Sequence, residues 1–222
     1  MIKYFFFLLF FWIKSYAFSQ NQLVKIDFQI VYGETEVFLN ENILIDSTDW
    51  IVFSKLKFYI GNCRSYSKGD TVISQRIDYY LVDFSKSENL PISIETSESL
   101  DSICLLIGTD SLTNVSGLFE GALDPLSGMY WAWNSGYIHL KVTGKSSLVT
   151  NEKQQFDWHL GGYRKPYPTQ FSLTKKVKNG KIDFNLDSFI QELRQSAPTI
   201  KLMSPGKKAH QLMSDFIQSN QQ

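Results

Sequence analysis

Alternation of apolar and polar residues with a period of two constrains this chain more than any other feature. In "LVKIDFQIVY", Val24, Ile26, Phe28, Ile30 and Tyr32 fall on one face, and Lys25, Asp27 and Gln29 on the other. "SKLKFYI" repeats the pattern with Leu56, Phe58 and Ile60. After the turn-like "SKGD", "VISQRIDYYLVDF" reads as another extended segment. "DSICLLIGTD" is short and almost wholly apolar, as expected of a strand covered on both faces. "FSLTKKVKNGKIDFNLD" reads as a hairpin, with Asn179 and Gly180 supplying the positive φ values of a type I′ turn. Helix is scarce. "DSFIQELRQSA" starts with a capping-box pattern, Ser188 with Gln191. "SPGKKAHQLMSDFIQS" offers Ser204 as N-cap, Pro205 as first helical residue, and a stripe of Ala209, Leu212, Met213 and Phe216. These patterns predict an all-β, β-sandwich-like single domain with one or two short C-terminal helices.

The first residues stand apart from that domain. "MIKYFFFLLFFWIKSYAFSQ" has a basic start at Lys3, an apolar run from Tyr4 to Ile13, and Ala17-Phe18-Ser19 as a small-residue cleavage site. This is the form of a secretory signal peptide, residues 1–19, and it predicts an exported domain over residues 20–222, periplasmic or extracellular. No cysteine near the cut suggests a lipid anchor, and no later run is long and apolar enough to cross a bilayer. Losing Lys3 and Lys14 takes the 22 basic residues to 20 against 22 acidic ones, a formal charge of −2. Nucleic-acid binding needs a basic excess or a clustered basic face, and neither is present. In an exported protein Cys63 and Cys104 could form a disulfide. Their apolar, strand-like settings equally suit two buried thiols, and they lack metal-ligand spacing.

"LDPLSGMYWAWNSGYIHLKVTG" is the most unusual stretch. Read as one strand from Met129 to Thr143, it places Met129, Trp131, Trp133, Ser135, Tyr137 and His139 on one face. Ile138, Leu140 and Val142 then belong to an ordinary core face. Gly136 is a candidate bulge that would reverse the alternation. A row of Trp and Tyr is first a core former, because these side chains bury large areas. It also suits a binding platform made of Trp131, Trp133 and Tyr137, or a metal site. In "FDWHLGGYRKPYP", Trp158 and His159 point to opposite faces, so His159 is either a structural histidine or a ligand aimed away from the core. Gly161 and Gly162 permit a turn or a close backbone approach. The acidic and amide residues Asp110, Asn114, Glu120 and Asp124 do not follow the ligand spacing of an EF-hand. No nucleophile elbow, P-loop, zinc-protease motif or dinucleotide fingerprint occurs, so a binding protein is expected rather than an enzyme.

The ordered series "LKFYIGN", "YYLVDF", "ICLLIGTDSLTN", "GALDPLSGMYWAWNSGYIHLKVTG" and "FDWHLGGY" resembles the MbnP-like family of exported bacterial proteins, over nearly the whole chain after the leader. The resemblance implies a β-sandwich-like domain and copper binding that depends on histidines and on a tryptophan oxidised to kynurenine. It also implies a dihaem partner enzyme of the MauG-like class that performs the oxidation. Trp131 and Trp133 become candidate modification sites and His159 the leading candidate ligand; His139 is not a family ligand position, and is either a substitute ligand or incidental. Where relatives carry a histidine near Tyr80, this chain has tyrosine. His210 falls on the C-terminal helix and is expected to be solvated. The competing expectation is a metal-free exported module whose aromatic platform binds a carbohydrate or protein partner.

Overall fold

A computed structural model describes residues 22–67, 70–74, 79–86, 92–96, 100–134 and 136–221. The expected signal peptide, the tip of "SKGD" and residues 75–78 of "VISQRIDYYLVDF" lie outside these residues. The strands are β1 Gln22–Tyr32, β2 Thr35–Val37, β3 Ile43–Leu44, β4 Trp50–Ser67, β5 Asp70–Ser74, β6 Tyr80–Asp83, β7 Ile92–Thr96, β8 Ser102–Ile107, β9 Tyr130–Trp131, β10 Gly136–Ser146, β11 Gln155–Gly161, β12 Phe171–Lys176, β13 Lys181–Asn185 and β14 Lys201–Leu202. The α-helices are α1 Ser111–Val115, α2 Asp187–Leu193 and α3 Lys207–Asn220. Among the described residues the strands form a four-stranded sheet, β13-β1-β2 with β7 on β1, and a ten-stranded sheet along β12-β8-β4-β10-β11-β14. The expected β-sandwich-like architecture with two C-terminal helices is present.

Parity explains the core. Ile26, Phe28 and Ile30 of β1 and Ile182 and Phe184 of β13 face Leu56, Phe58 and Ile60 of β4 and Leu140 and Val142 of β10. Phe156, Trp158 and Leu160 of β11 extend that layer, and Phe189, Leu212, Met213 and Phe216 of the two longer helices close one side. The opposite face of the large sheet has its own, smaller cluster of Tyr59, Leu123, Met129, Trp131, Tyr137 and Ile138. The aromatic stretch therefore builds a second core.

Several expectations need correction. The aromatic stretch is not one strand. It folds into a hairpin in which Trp131 pairs with Gly136 and Tyr130 with Tyr137. A bulge between Ile138 and Leu140 shifts the alternation again. Asn179 and Gly180 do take φ values of 52° and 74°, and Lys178 bridges Lys181, but β12 and β13 then part into different sheets. β8 buries Ile103, Leu105 and Ile107 and leaves Cys104 and Leu106 half-covered, so only one of its faces is sealed. α2 is preceded by Leu186 with no side-chain cap, and α3 starts at Lys207 after Gly206, beyond Ser204 and Pro205. Cys63 and Cys104 are both free. An extra residue on β4 between Gly61 and Arg64 sets Cys63 into the main core, while Cys104 lies opposite Arg64 and outside it.

Candidate functional site

The site begins at the β9–β10 hairpin. Asn114, buried on α1, fastens it. Its Oδ1 accepts the Tyr137 backbone N–H at 3.0 Å, and its Nδ2 donates to Thr109 Oγ1 at 2.7 Å and to the Asp110 carbonyl at 2.9 Å. Asp110 caps α1 by accepting from Thr113 N, and Asp124 accepts from Leu126 N at the following turn. Asp110 and Asp124 thus serve as caps, while the Glu120 side chain makes no capping bond. Tyr137 is fully buried, with its ring edge-on to Tyr59 and Tyr130. Trp131 is 5% exposed and Trp133 65% exposed, their ring centroids 5.5 Å apart. Of the three rings expected to share an open platform, only Trp133 presents a face to solvent. The fold-back of the hairpin is the physical reason.

Trp131 rests on Gly161 of β11. A Cβ at Gly161 would stand 2.8 Å from Trp131 Cζ3 and 2.6 Å from the Tyr137 carbonyl oxygen, so only glycine admits the ring. Trp131 Nε1 is buried and has no hydrogen-bond partner among the described residues. Two residues back, on the same face of β11, is His159; two further back is Asp157. His159 Nε2 lies 3.0 Å from Asp157 Oδ1, at ion-pair distance but out of line for a hydrogen bond. Burial holds the His159 pKa below the ordinary imidazole value, and the neighbouring Lys141 adds to this, against the pull of Asp157. The imidazole is therefore neutral at pH 7, the form that binds metals.

The surroundings of His159 are cationic. Its register partner across the sheet is Lys141, which pairs in turn with Lys57, and Lys57 with Asp83. Lys57 Nζ is 2.9 Å from Asp83 Oδ2, while Lys141 Nζ donates to the Gly128 carbonyl. Burial and the nearby Lys55 and Lys57 depress the Lys141 pKa, an interaction Asp157 partly offsets.

His139 has a different role. It is fully buried, and both ring nitrogens are engaged. Nδ1 lies 2.9 Å from Thr169 Oγ1, which itself donates to the Gly162 carbonyl. Nε2 lies 3.0 Å from Thr109 Oγ1 and 3.4 Å from Asn114 Nδ2. Since Thr169 donates onward, the network assigns the proton to Nδ1 and leaves Nε2 as acceptor. Burial pushes the pKa down to about 4. Gly108, with φ of 98°, makes room for the ring; a Cβ there would meet it at 2.9 Å. His210 is half-buried rather than solvated. Its Nδ1 donates to the Pro168 carbonyl and its ring packs near Phe171 and Tyr167.

The structure brings Trp131, Trp133 and the His159 strand to one outer face, and sets His139 in an adjacent sealed pocket. Among the described residues no three His, Cys, Asp or Glu side chains gather at metal-binding spacing. Sequence reasoning missed Asn114, Thr109 and Thr169, which organise the hairpin and His139. Their separation of 23 to 30 residues from the histidine or hairpin they serve leaves no local signal. The glycine pair after His159 was the one available clue to Gly161 as a seat for a ring.

A family model described as MbnP matches residues 21–204. The fold is similar to the solved structure of MbnP from Methylosinus trichosporium, with a TM-score of 0.55 at 14% identity, covering 84% of this chain and 82% of that one. At that identity the likeness speaks for the fold alone. No curated protein matches the chain.

Proposed function

This chain belongs to the MbnP family, and from that premise we propose that it is an exported protein that binds copper as cargo and does no catalysis of its own. Cleavage after Ser19 would release it into the periplasm or the medium. Among the described residues no helix is long and apolar enough to cross a membrane.

The observation that carries the reading is the seating of Trp131 on Gly161, on the same strand face as His159. His159 Nε2 has no aligned hydrogen bond to lose, in contrast to both nitrogens of His139. His159 and Asp157 supply an imidazole and a carboxylate oxygen, too few donors for a firm copper site. An intact indole adds none, because its nitrogen lone pair belongs to the ring. Oxidative cleavage of the indole C2–C3 bond by two oxygen atoms, followed by hydrolytic loss of the C2 carbon as formate, leaves kynurenine and exposes an aniline nitrogen. The donor set fits copper once Trp131 has been converted in this way. A MauG-like dihaem enzyme, with peroxide as oxidant, is the proposed partner. The exposed Trp133 is the alternative target.

The test is peptide mapping and metal analysis on protein purified from the exporting cell with its dihaem partner. Trp131 is expected to gain about 4 Da, one oxygen more and one carbon fewer. Copper should co-purify near one equivalent and be lost in H159A. Copper retained at full occupancy by H159A, or none bound to converted protein, would sink the reading.

A further inference from the structure

A second feature of the hairpin adjoins Trp131 and needs no metal. A cleft of about 200 Å³ opens between the hairpin and the loop after β11, with Trp131 and Asn134 on one side and Tyr163, Arg164, Lys165 and Tyr167 on the other. Among the described residues no Asp or Glu lines it. Arg164 and Lys165 are exposed, and among the described residues neither has a carboxylate partner. Arg164 is held in place from beneath. Its guanidinium lies 5.5 Å from the Tyr163 ring centre, and Nε donates to the Tyr163 hydroxyl. That leaves the terminal nitrogens of the fork open to a carboxylate.

We propose that this cleft binds a small organic anion, a carboxylate joined to a planar apolar body. The rings of Tyr163 and Tyr167 take the planar body beside the covered edge of Trp131, and Arg164 and Lys165 take the carboxylate. The volume sets the size. It is below the roughly 300–1,000 Å³ of ordinary drug-sized sites, so the occupant has about ten non-hydrogen atoms. A neutral analogue of the same shape loses the charge-assisted hydrogen bonds. The site requires neither copper nor conversion of Trp131, so its failure and the failure of the copper reading are separate results.

The experiment uses the full exported chain, stripped of metal, with Trp131 shown intact by mass. Benzoate and its neutral analogue benzamide are titrated while the indole N–H signals are followed by NMR. Benzoate is expected to shift the Trp131 signal saturably, with a Kd in the millimolar range, equivalent to about 4 kcal/mol. Benzamide should bind at least about tenfold more weakly, and added salt should weaken benzoate alone. The double variant R164Q/K165Q should weaken benzoate about tenfold and leave benzamide unchanged. Both side chains are exposed, so its unfolding midpoint should match that of the parent. The proposal is overturned if benzoate gives no saturable shift at tens of millimolar, if benzamide binds equally well, or if the double variant binds benzoate as the parent does.

Discussion

His139 and His159 sit on neighbouring strands, yet their nitrogens face different chemistry. A metal reaching His139 would have to break its bonds to Thr169 and Thr109, in a pocket closed by Gly108. His159 has a ring nitrogen that gives up nothing of the kind. The site therefore depends on what brings a second ligand to His159, and this role falls to Gly161. A methyl group there would stand 2.6 Å from the Tyr137 oxygen and 2.8 Å from the Trp131 ring. The carbonyl belongs to β10, pinned by its sheet partners, so the ring is the part that must move. G161A is expected to destabilise the protein by about 1–3 kcal/mol. It should also change the near-ultraviolet dichroism of the tryptophans and abolish copper binding. A denaturant titration beside the spectrum checks this, and unchanged values in both would mean that Trp131 is not seated there. Parity alone placed His159 off the core, and that much was legible in the sequence. The enclosure of His139 was not, because Thr109 and Thr169 come from distant loops.

At the scale of elements, the packing of α3 on the sheets is the clearest case. Its stripe of Ala209, Leu212, Met213 and Phe216 was readable from helical spacing and is buried as expected. Phe216 stacks on Phe189 of α2 with ring centres 5.0 Å apart and planes 5° from parallel, and also meets Phe184 and Phe58. F216A removes a fully buried ring shared by two helices and both sheets. It should cost about 3–5 kcal/mol, read as a drop in the urea midpoint. L112A removes an equally apolar side chain that is 65% exposed on α1, and should stay within about 0.5 kcal/mol of the parent. Similar losses from the two would contradict this account of the core. The beginnings of the helices were less legible than their faces. Ser188 and Ser204 have the right residue type for caps, but tertiary packing sets the first turns elsewhere. In the same way Asn179-Gly180 encodes a turn, while the partners of β12 and β13 are chosen by β8 and β1.

At the scale of the whole molecule, strand alternation carried the architecture because burial on one face of a sheet has the same period as the chain. It failed at the aromatic hairpin. There a second core lies on the outer face, so both parities are apolar and alternation no longer tells inside from outside. A consequence of that second core is a sealed, neutral histidine, and through it a pH dependence of global stability. His139 has a folded pKa of about 4 against an ordinary 6.5. Below the ordinary value the unfolded chain takes up a proton that the folded chain refuses. Stability is thus full above about pH 6.5 and falls as pH drops towards 4, by at most about 3 kcal/mol. His159, half-buried and depressed in the same direction, adds a smaller loss of the same sign. Carboxylates held low, such as Asp83 beside Lys57, begin to contribute only below their ordinary 3.8, so they do not mask this window. Urea midpoints of the metal-free protein should therefore decline steadily from pH 6.5 to 4.5. In H139Q, which keeps a donor and an acceptor but cannot titrate, the decline should shrink to the part due to His159, whatever the variant loses at neutral pH. A parent midpoint that stays level across that interval would mean that the pocket admits the charged ring, and so that Thr109, Asn114 and Thr169 do not seal it.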